Sequence, residues 1–185
     1  DIKTVLLALA TAIGGGALIL KIKPYIAKRF NTWGHAIEYA SDGGFQQAHV
    51  LTYLASGGLF GVGIGNGFLK YVFASERDLV FGIVCEELGI IVGFVLIIAI
   101  LCLAIYTRDI ATRSRSTFYS ISACCAAGLF IVQMSLNVFG ATDILPLTGV
   151  TFPFVSAGGS SMISCWGLLA FIKAADERTY SQKRG

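Results

Sequence analysis

Four carboxylates crowd one short stretch, Phe73–Gly89, FASERDLVFGIVCEELG: Glu76, Asp78, Glu86 and Glu87. An apolar run, Ile90–Ala104, follows directly. Acids at an apolar boundary suit proton transfer. An ionised carboxylate accepts a proton, and a desolvated one keeps its proton to higher pH. Serine chemistry has less to build on. Ser156, Ser160, Ser161 and Ser164 lie near one another, but the two histidines, His35 and His49, are far from them in sequence. These serines read as packing or cavity-lining groups. The five cysteines, Cys85, Cys102, Cys124, Cys125 and Cys165, sit in apolar segments and form no C-x-x-C pair, so they read as small buried hydrophobes.

The elements that must position these groups are membrane helices. Of the 185 residues, 55% are hydrophobic and 14% charged, against about 25% charged in soluble domains. Several apolar runs approach the ~20 residues that cross a bilayer. The expected fold is therefore an all-α integral membrane protein with spans near 5–20, 79–106, 118–139 and 154–172. An outer stretch, 21–77, and a cytoplasmic tail, 173–185, complete it. A net charge of +3 is too small to imply nucleic-acid binding. The chain begins at Asp1, and no basic, cleavable leader precedes the first apolar run, so a piece of a longer protein is expected rather than a signal peptide.

Loop charge sets the expected orientation. The short Thr107–Thr117 loop carries Arg108, Arg113 and Arg115, and the tail carries Lys173, Arg178, Lys183 and Arg184. Short basic loops stay cytoplasmic. Asp78 then stands at the outer mouth of the second span. Lys21, Lys23, Lys28 and Arg29 fall outside as well, which suggests a local task for them. Two irregular stretches share that side. One is the glycine-rich Ala48–Val72, with Gly61, Gly63, Gly65 and Gly67 alternating; the other is Gly140–Pro153, where Pro146, Gly149 and Pro153 forbid one continuous helix.

Taken as one helix, the second span places Gly82, Glu86, Gly89 and Gly93 within about 80° of Asp78, and Glu87 about 180° away. Small residues on one face admit close neighbours. Glu86 lies about 12 Å from Asp78 along the axis, too far for the roughly 5–9.5 Å spacing of paired carboxylates in sugar chemistry. Asp78 is either a helix N-cap, with Glu76 adding charge near the helix start, or a working base. Glu86 and Glu87, deeper, read as acids bonding a neighbouring helix or its backbone.

SERDLVFGIVCEELG resembles the opening of the eighth helix in the SEDS family, the FtsW, RodA and SpoVE proteins. Three more blocks are similar and in order. They are Arg29-Phe30 with Trp33, then Phe45-Gln46-Gln47 with Ser56–Gly63, and then Leu145–Val150 with Pro153–Ser161, Asn137 standing between. The resemblance implies the last four helices of a ten-helix fold. It implies polymerisation of lipid II into glycan strands at the outer face of the bacterial cytoplasmic membrane, beside a class B penicillin-binding protein and other divisome or elongasome membrane proteins. Asp78 matches the family's catalytic base, though Arg77 and Leu79 replace its usual threonine and phenylalanine neighbours. Arg29, Arg77 and Lys70 are the candidate diphosphate ligands. Glu86, Glu87, Gln46, Ser156, Ser160 and Ser161 are structural or cavity-lining. A divalent cation, magnesium or manganese, is the one cofactor this chemistry admits. A lipid II transporter and a non-catalytic scaffold are the alternative functions, and the isolated segment is expected to be inactive.

Overall fold

The computed structural model describes residues 2–114 and 117–176. Arg115, the tail with Arg178, Lys183 and Arg184, and the side chains of Lys21 and Lys28 lie outside what it describes. In chain order the helices are α1 (Ile2–Ile22), α2 (Pro24–Thr32), α3 (Phe45–Gly57), α4 (Ser75–Asp78), α5 (Val80–Leu88), α6 (Ile90–Thr112), α7 (Thr117–Ala141) and α8 (Gly159–Ala175), with a 3₁₀ turn at Leu69–Tyr71. No strand occurs among the described residues.

Two helices, α6 and α7, are long and apolar enough to cross a membrane; α8 and the apolar Ile2–Gly16 part of α1 are shorter. Only 17% of the most apolar window of α6 is covered by the rest of the chain, so most of its surface must face lipid or further protein. The packed centre lies where α7 meets α6 and α8, and where α3 meets α5. Phe130, Phe152, Leu69, Leu79 and Ile110 fill it, with the Phe81 and Phe152 rings stacked 6.4 Å apart. Cys85 and Cys165 are buried there, but Cys102, Cys124 and Cys125 are exposed on α6 and α7. Those three are apolar surface of the helices rather than core.

The single helix expected over 79–106 is broken. Gly89 adopts φ 89°, ψ 162° and ends α5. A Cβ on Gly89 would sit 2.2 Å from the Leu59 carbonyl oxygen, so backbone fills the space that a side chain would need. The chain folds back at this point: a Cβ on Gly93 would lie 2.6 Å from Cys85 Sγ and 3.1 Å from the Phe81 ring. Two residues eight and twelve places back in a straight helix would be about 12 and 18 Å away along the axis. The spanning helix therefore begins at Ile90, and Glu86 and Glu87 belong to α5, which packs against its first turn. The helical-wheel relation of Asp78 to the glycines fails for the same reason, and a further break at Leu79 (φ −118°, ψ 19°) separates α4 from α5. The last helix also starts later than the apolar run suggests. After Pro153, Phe154 is left-handed at φ 63°, which stops helix formation until Gly159.

Residues 33–47 are anchored to the end of α7. Asp143 Oδ1 accepts from the Gly34 backbone N–H at 3.2 Å and Oδ2 from that of Ala36 at 3.1 Å. Trp33 Nε1 donates to the Ile144 carbonyl at 3.0 Å, and buried Gln47 donates to the Gly140 carbonyl and to Asp143 Oδ1, both at 3.0 Å. These bonds join residues 33–47 to the start of the Gly140–Pro153 stretch. The basic end of α6, with Arg113 paired to Asp109 at 3.3 Å, lies at the far end of the α6–α7 hairpin.

Candidate functional site

The α4 turn is short, and its conformation is imposed from outside. Ala74, just before it, is left-handed at φ 60°. That geometry costs an alanine on the order of 1–3 kcal/mol and persists only where neighbours dictate it. Gln46 Nε2 donates to the Phe73 carbonyl at 2.9 Å, and Ser75 Oγ to that of Lys70 at 3.2 Å. One helical turn leaves its carbonyls without intrahelical partners. Here three consecutive ones are met by the segment joining α7 to α8 and by α7 itself. The Ala157 N–H donates to the Glu76 carbonyl at 3.0 Å, Ser156 Oγ to that of Arg77 at 2.7 Å, and Asn137 Nδ2 to that of Asp78 at 3.0 Å.

These contacts present Asp78 as a half-buried acid. Its carboxylate accepts no hydrogen bond among the described residues. The N-cap role is excluded: the residue capping α5 is Leu79, with no side-chain cap bond, and Asp78 is the last residue of α4. The backbone of Gly149 passes close by, so that a Cβ there would lie 3.2 Å from Asp78 Oδ2. Burial lifts the Asp78 carboxyl above the ordinary aspartate value, and the positive charges of Arg29 and then Arg77 draw it part of the way back.

The two arginines are held differently. Arg29 reaches across from α2 and donates through Nη1 to the Leu147 carbonyl at 2.6 Å, which ties it to the loop that flanks Asp78. Arg77 is exposed on α4 itself. Lys70 stands apart from this pair. Its ammonium donates to the Gly65 carbonyl and lies 5.3 Å from the Tyr71 ring centre, so it serves its own loop.

Glu86 and Glu87 face the glycine-rich stretch. Glu86, 1% exposed, accepts the backbone N–H of Phe68 at 2.7 Å and of Leu69 at 3.0 Å, while Glu87 accepts that of Gly65 at 3.0 Å. The carbonyls of the same two residues accept the Val62 and Gly63 N–H groups at 2.9 and 3.0 Å. Neither acid meets Asp78. Ser161 shares a 2.7 Å hydrogen bond with Thr151, and Ser160 is exposed on the first turn of α8. The structure thus gathers Asp78, Arg29, Arg77 and Ser156, and leaves Lys70, Glu86, Glu87 and Ser160 outside that group. Asn137 and Gly149 complete it without having been singled out as site residues. The available signal for Asn137 was an amide in the apolar QMSLNVFG run, one turn after Gln133, which is unfavourable unless paired.

Among the described residues, no group of three or more His, Cys, Asp or Glu side chains could hold a metal. One carboxylate in the positive field of two arginines is a weak donor set for a resident divalent cation. The arrangement instead offers a proton acceptor beside fixed positive charge.

A family model described as cell cycle protein, FTSW_RODA_SPOVE, matches residues 1–181. The chain belongs to the FtsW/RodA/SpoVE family. Like that family, it is a membrane protein. It is similar to a probable peptidoglycan glycosyltransferase FtsW of Lactococcus lactis, 38% identical over 172 residues that cover 90% of this chain and 41% of the relative. The corresponding protein of Bacillus subtilis is 31% identical, covering 78% of this chain and 36% of the relative. A peptidoglycan glycosyltransferase RodA of Mycobacterium leprae is 29% identical, with 91% and 36% covered. This FtsW/RodA/SpoVE chain spans about two fifths of the length of these relatives.

Proposed function

We propose that this chain is the C-terminal part of a peptidoglycan glycosyltransferase that polymerises lipid II at the outer face of the bacterial cytoplasmic membrane. One observation carries the reading. Asp78 is a half-buried carboxylate with no hydrogen-bond donor among the described residues, walled by the Gly149 backbone and within the electrostatic reach of Arg29 and Arg77 without pairing to either. A sugar hydroxyl is a weak nucleophile. As its oxygen bonds to the anomeric carbon of the second sugar, its proton passes to the Asp78 carboxylate. The bond from that carbon to the lipid diphosphate breaks, and the diphosphate leaves with the electron pair. Arg29 and Arg77 meet the charge that develops on it.

The multi-pass topology, a class B penicillin-binding protein as partner and association with divisome or elongasome membrane proteins belong to the same proposal. So does the inactivity of these residues alone. Lipid II transport is the second reading, favoured by the helix broken at Gly89. The test uses a full-length protein that includes this chain, reconstituted with its partner and with lipid II on the accessible leaflet. Polymer from native protein and none from Asp78→Asn supports the polymerase. Equal polymer from both removes Asp78 as base, and lipid movement without polymer favours the transporter.

A further inference from the structure

Asn137 is 1% exposed and lies near the end of α7. Both hydrogen bonds of its Nδ2 go to backbone carbonyls, that of Asp78 at 3.0 Å and that of Val150 at 2.7 Å. Val150 follows Gly149, the residue whose backbone faces the Asp78 carboxylate. One amide thus ties the backbone of the acid to the loop that walls it. The other half of the amide is unused: Asn137 Oδ1 is buried with no partner. Leaving a buried acceptor unmet is costly. A leucine, with the same branching, would remove the unmet oxygen but strip both carbonyls of their donor, so the two bonds rather than packing explain the amide.

We propose that Asn137 is a positioning residue for Asp78, whose two N–H groups hold the acid and the 145–150 loop in the arrangement where the carboxylate receives the attacking hydroxyl's proton. The inference rests on Asp78 being the base. Asn137 touches the carbonyl of Asp78 and not its carboxylate, so it acts through Asp78. Arg29 fastens the same loop at Leu147, and Ser156 fastens the preceding carbonyl of α4. Asn137 alone of these bonds both sides of the acid directly.

The experiment measures steady-state lipid II polymerisation across pH by the full-length protein with its partner. Asn137→Leu should lower kcat by about 10–100-fold, the scale of a 1 Å misplacement, with KM within about 3-fold. Its low-pH limb should move to lower pH, because a loosened loop lets water reach the carboxylate and reduces the desolvation that raises it. Asn137→Gln, which keeps both N–H donors on a longer arm, should recover part of the rate. Gln133→Leu, one turn earlier on α7 and also carrying a buried unpaired oxygen, should leave kcat and the limb unchanged. Wild-type kcat and limb in Asn137→Leu, or equal losses in Gln133→Leu, would overturn the proposal. Should Asn137→Leu fail to reach the membrane, Asn137→Ser keeps one donor: an intermediate kcat with a shifted limb supports the role, and an unshifted limb overturns it. A dead Asp78→Asn beside a native-like Asn137→Leu sinks the positioning role alone. An active Asp78→Asn removes the base and the inference together.

Discussion

Gly149 and Asp78 stand against each other across the α7–α8 connection, with the position of a Gly149 Cβ only 3.2 Å from Asp78 Oδ2. Gly149 also has φ 74°, where a side chain is strained. Gly149→Ala therefore meets two obstacles at once. It should lose about 1–3 kcal/mol of stability and, in the folded fraction, displace the carboxylate and slow polymerisation by roughly 10–100-fold. Thermal unfolding together with rate per folded protein measures both. A variant with native rate would show that the wall beside Asp78 is not needed.

The raised carboxyl of Asp78 fixes the sign of two pH effects. As the proposed base, Asp78 must be ionised, so the rate should fall as pH drops through a value above the ordinary aspartate range. Asp78→Asn should remove that limb with a loss of about 10²–10⁴-fold. For stability the folded state prefers the protonated acid. That contribution is present at low pH and is lost as pH rises through the raised value. Asp78→Asn should thus melt higher than native protein near neutrality, with the gap closing toward acid. A gap that widens in acid would contradict the burial of this group.

Arg29 and Arg77 should separate in kinetics. Arg29→Lys cannot keep the 2.6 Å bond to Leu147 and serve a diphosphate together. Its KM for lipid II should rise roughly tenfold, about 1.4 kcal/mol. Arg77→Lys, exposed and free of that tie, should change KM by no more than about 3-fold, an expectation for an exposed charge. Equal effects in steady-state assays would mean that the loop contact of Arg29 plays no part in binding.

Glu86→Gln tests the structural role proposed for the deeper acids. Glu86 accepts two backbone N–H groups at 2.7 and 3.0 Å. An amide replaces one acceptor with a donor aimed at a donor. The expected loss is about 2–3 kcal/mol of stability, seen as lower melting and membrane yield, with native rate per folded molecule. A selective loss of rate without a change in melting would return Glu86 to the list of catalytic candidates.

Several features were legible in the chain before any fold was known. Apolar runs marked α6 and α7 because a bilayer demands long hydrophobic helices. The four ordered blocks carried the family, whereas the axial distance placed between Asp78 and Glu86 assumed a straight helix that breaks at Leu79. Composition and local pattern decide such things because each depends on residues near one another in sequence. The fold-back at Gly89 was not legible. A glycine in an apolar run is compatible with a straight helix until the Leu59 carbonyl occupies the place of its side chain. The loss of the N-cap reading of Asp78 was equally closed to pattern, because it came from a break at Leu79 that ends α4. The donors that hold the carbonyls of that one-turn helix, Asn137, Ser156 and Ala157, come from 59 to 81 residues away. Sequence alone determined a membrane helix protein with an acid at a polar boundary. Tertiary contact alone decided which acid is half-buried against Gly149 and in the field of two arginines, because charge, burial and hydrogen bonding at a site are set by neighbours in space.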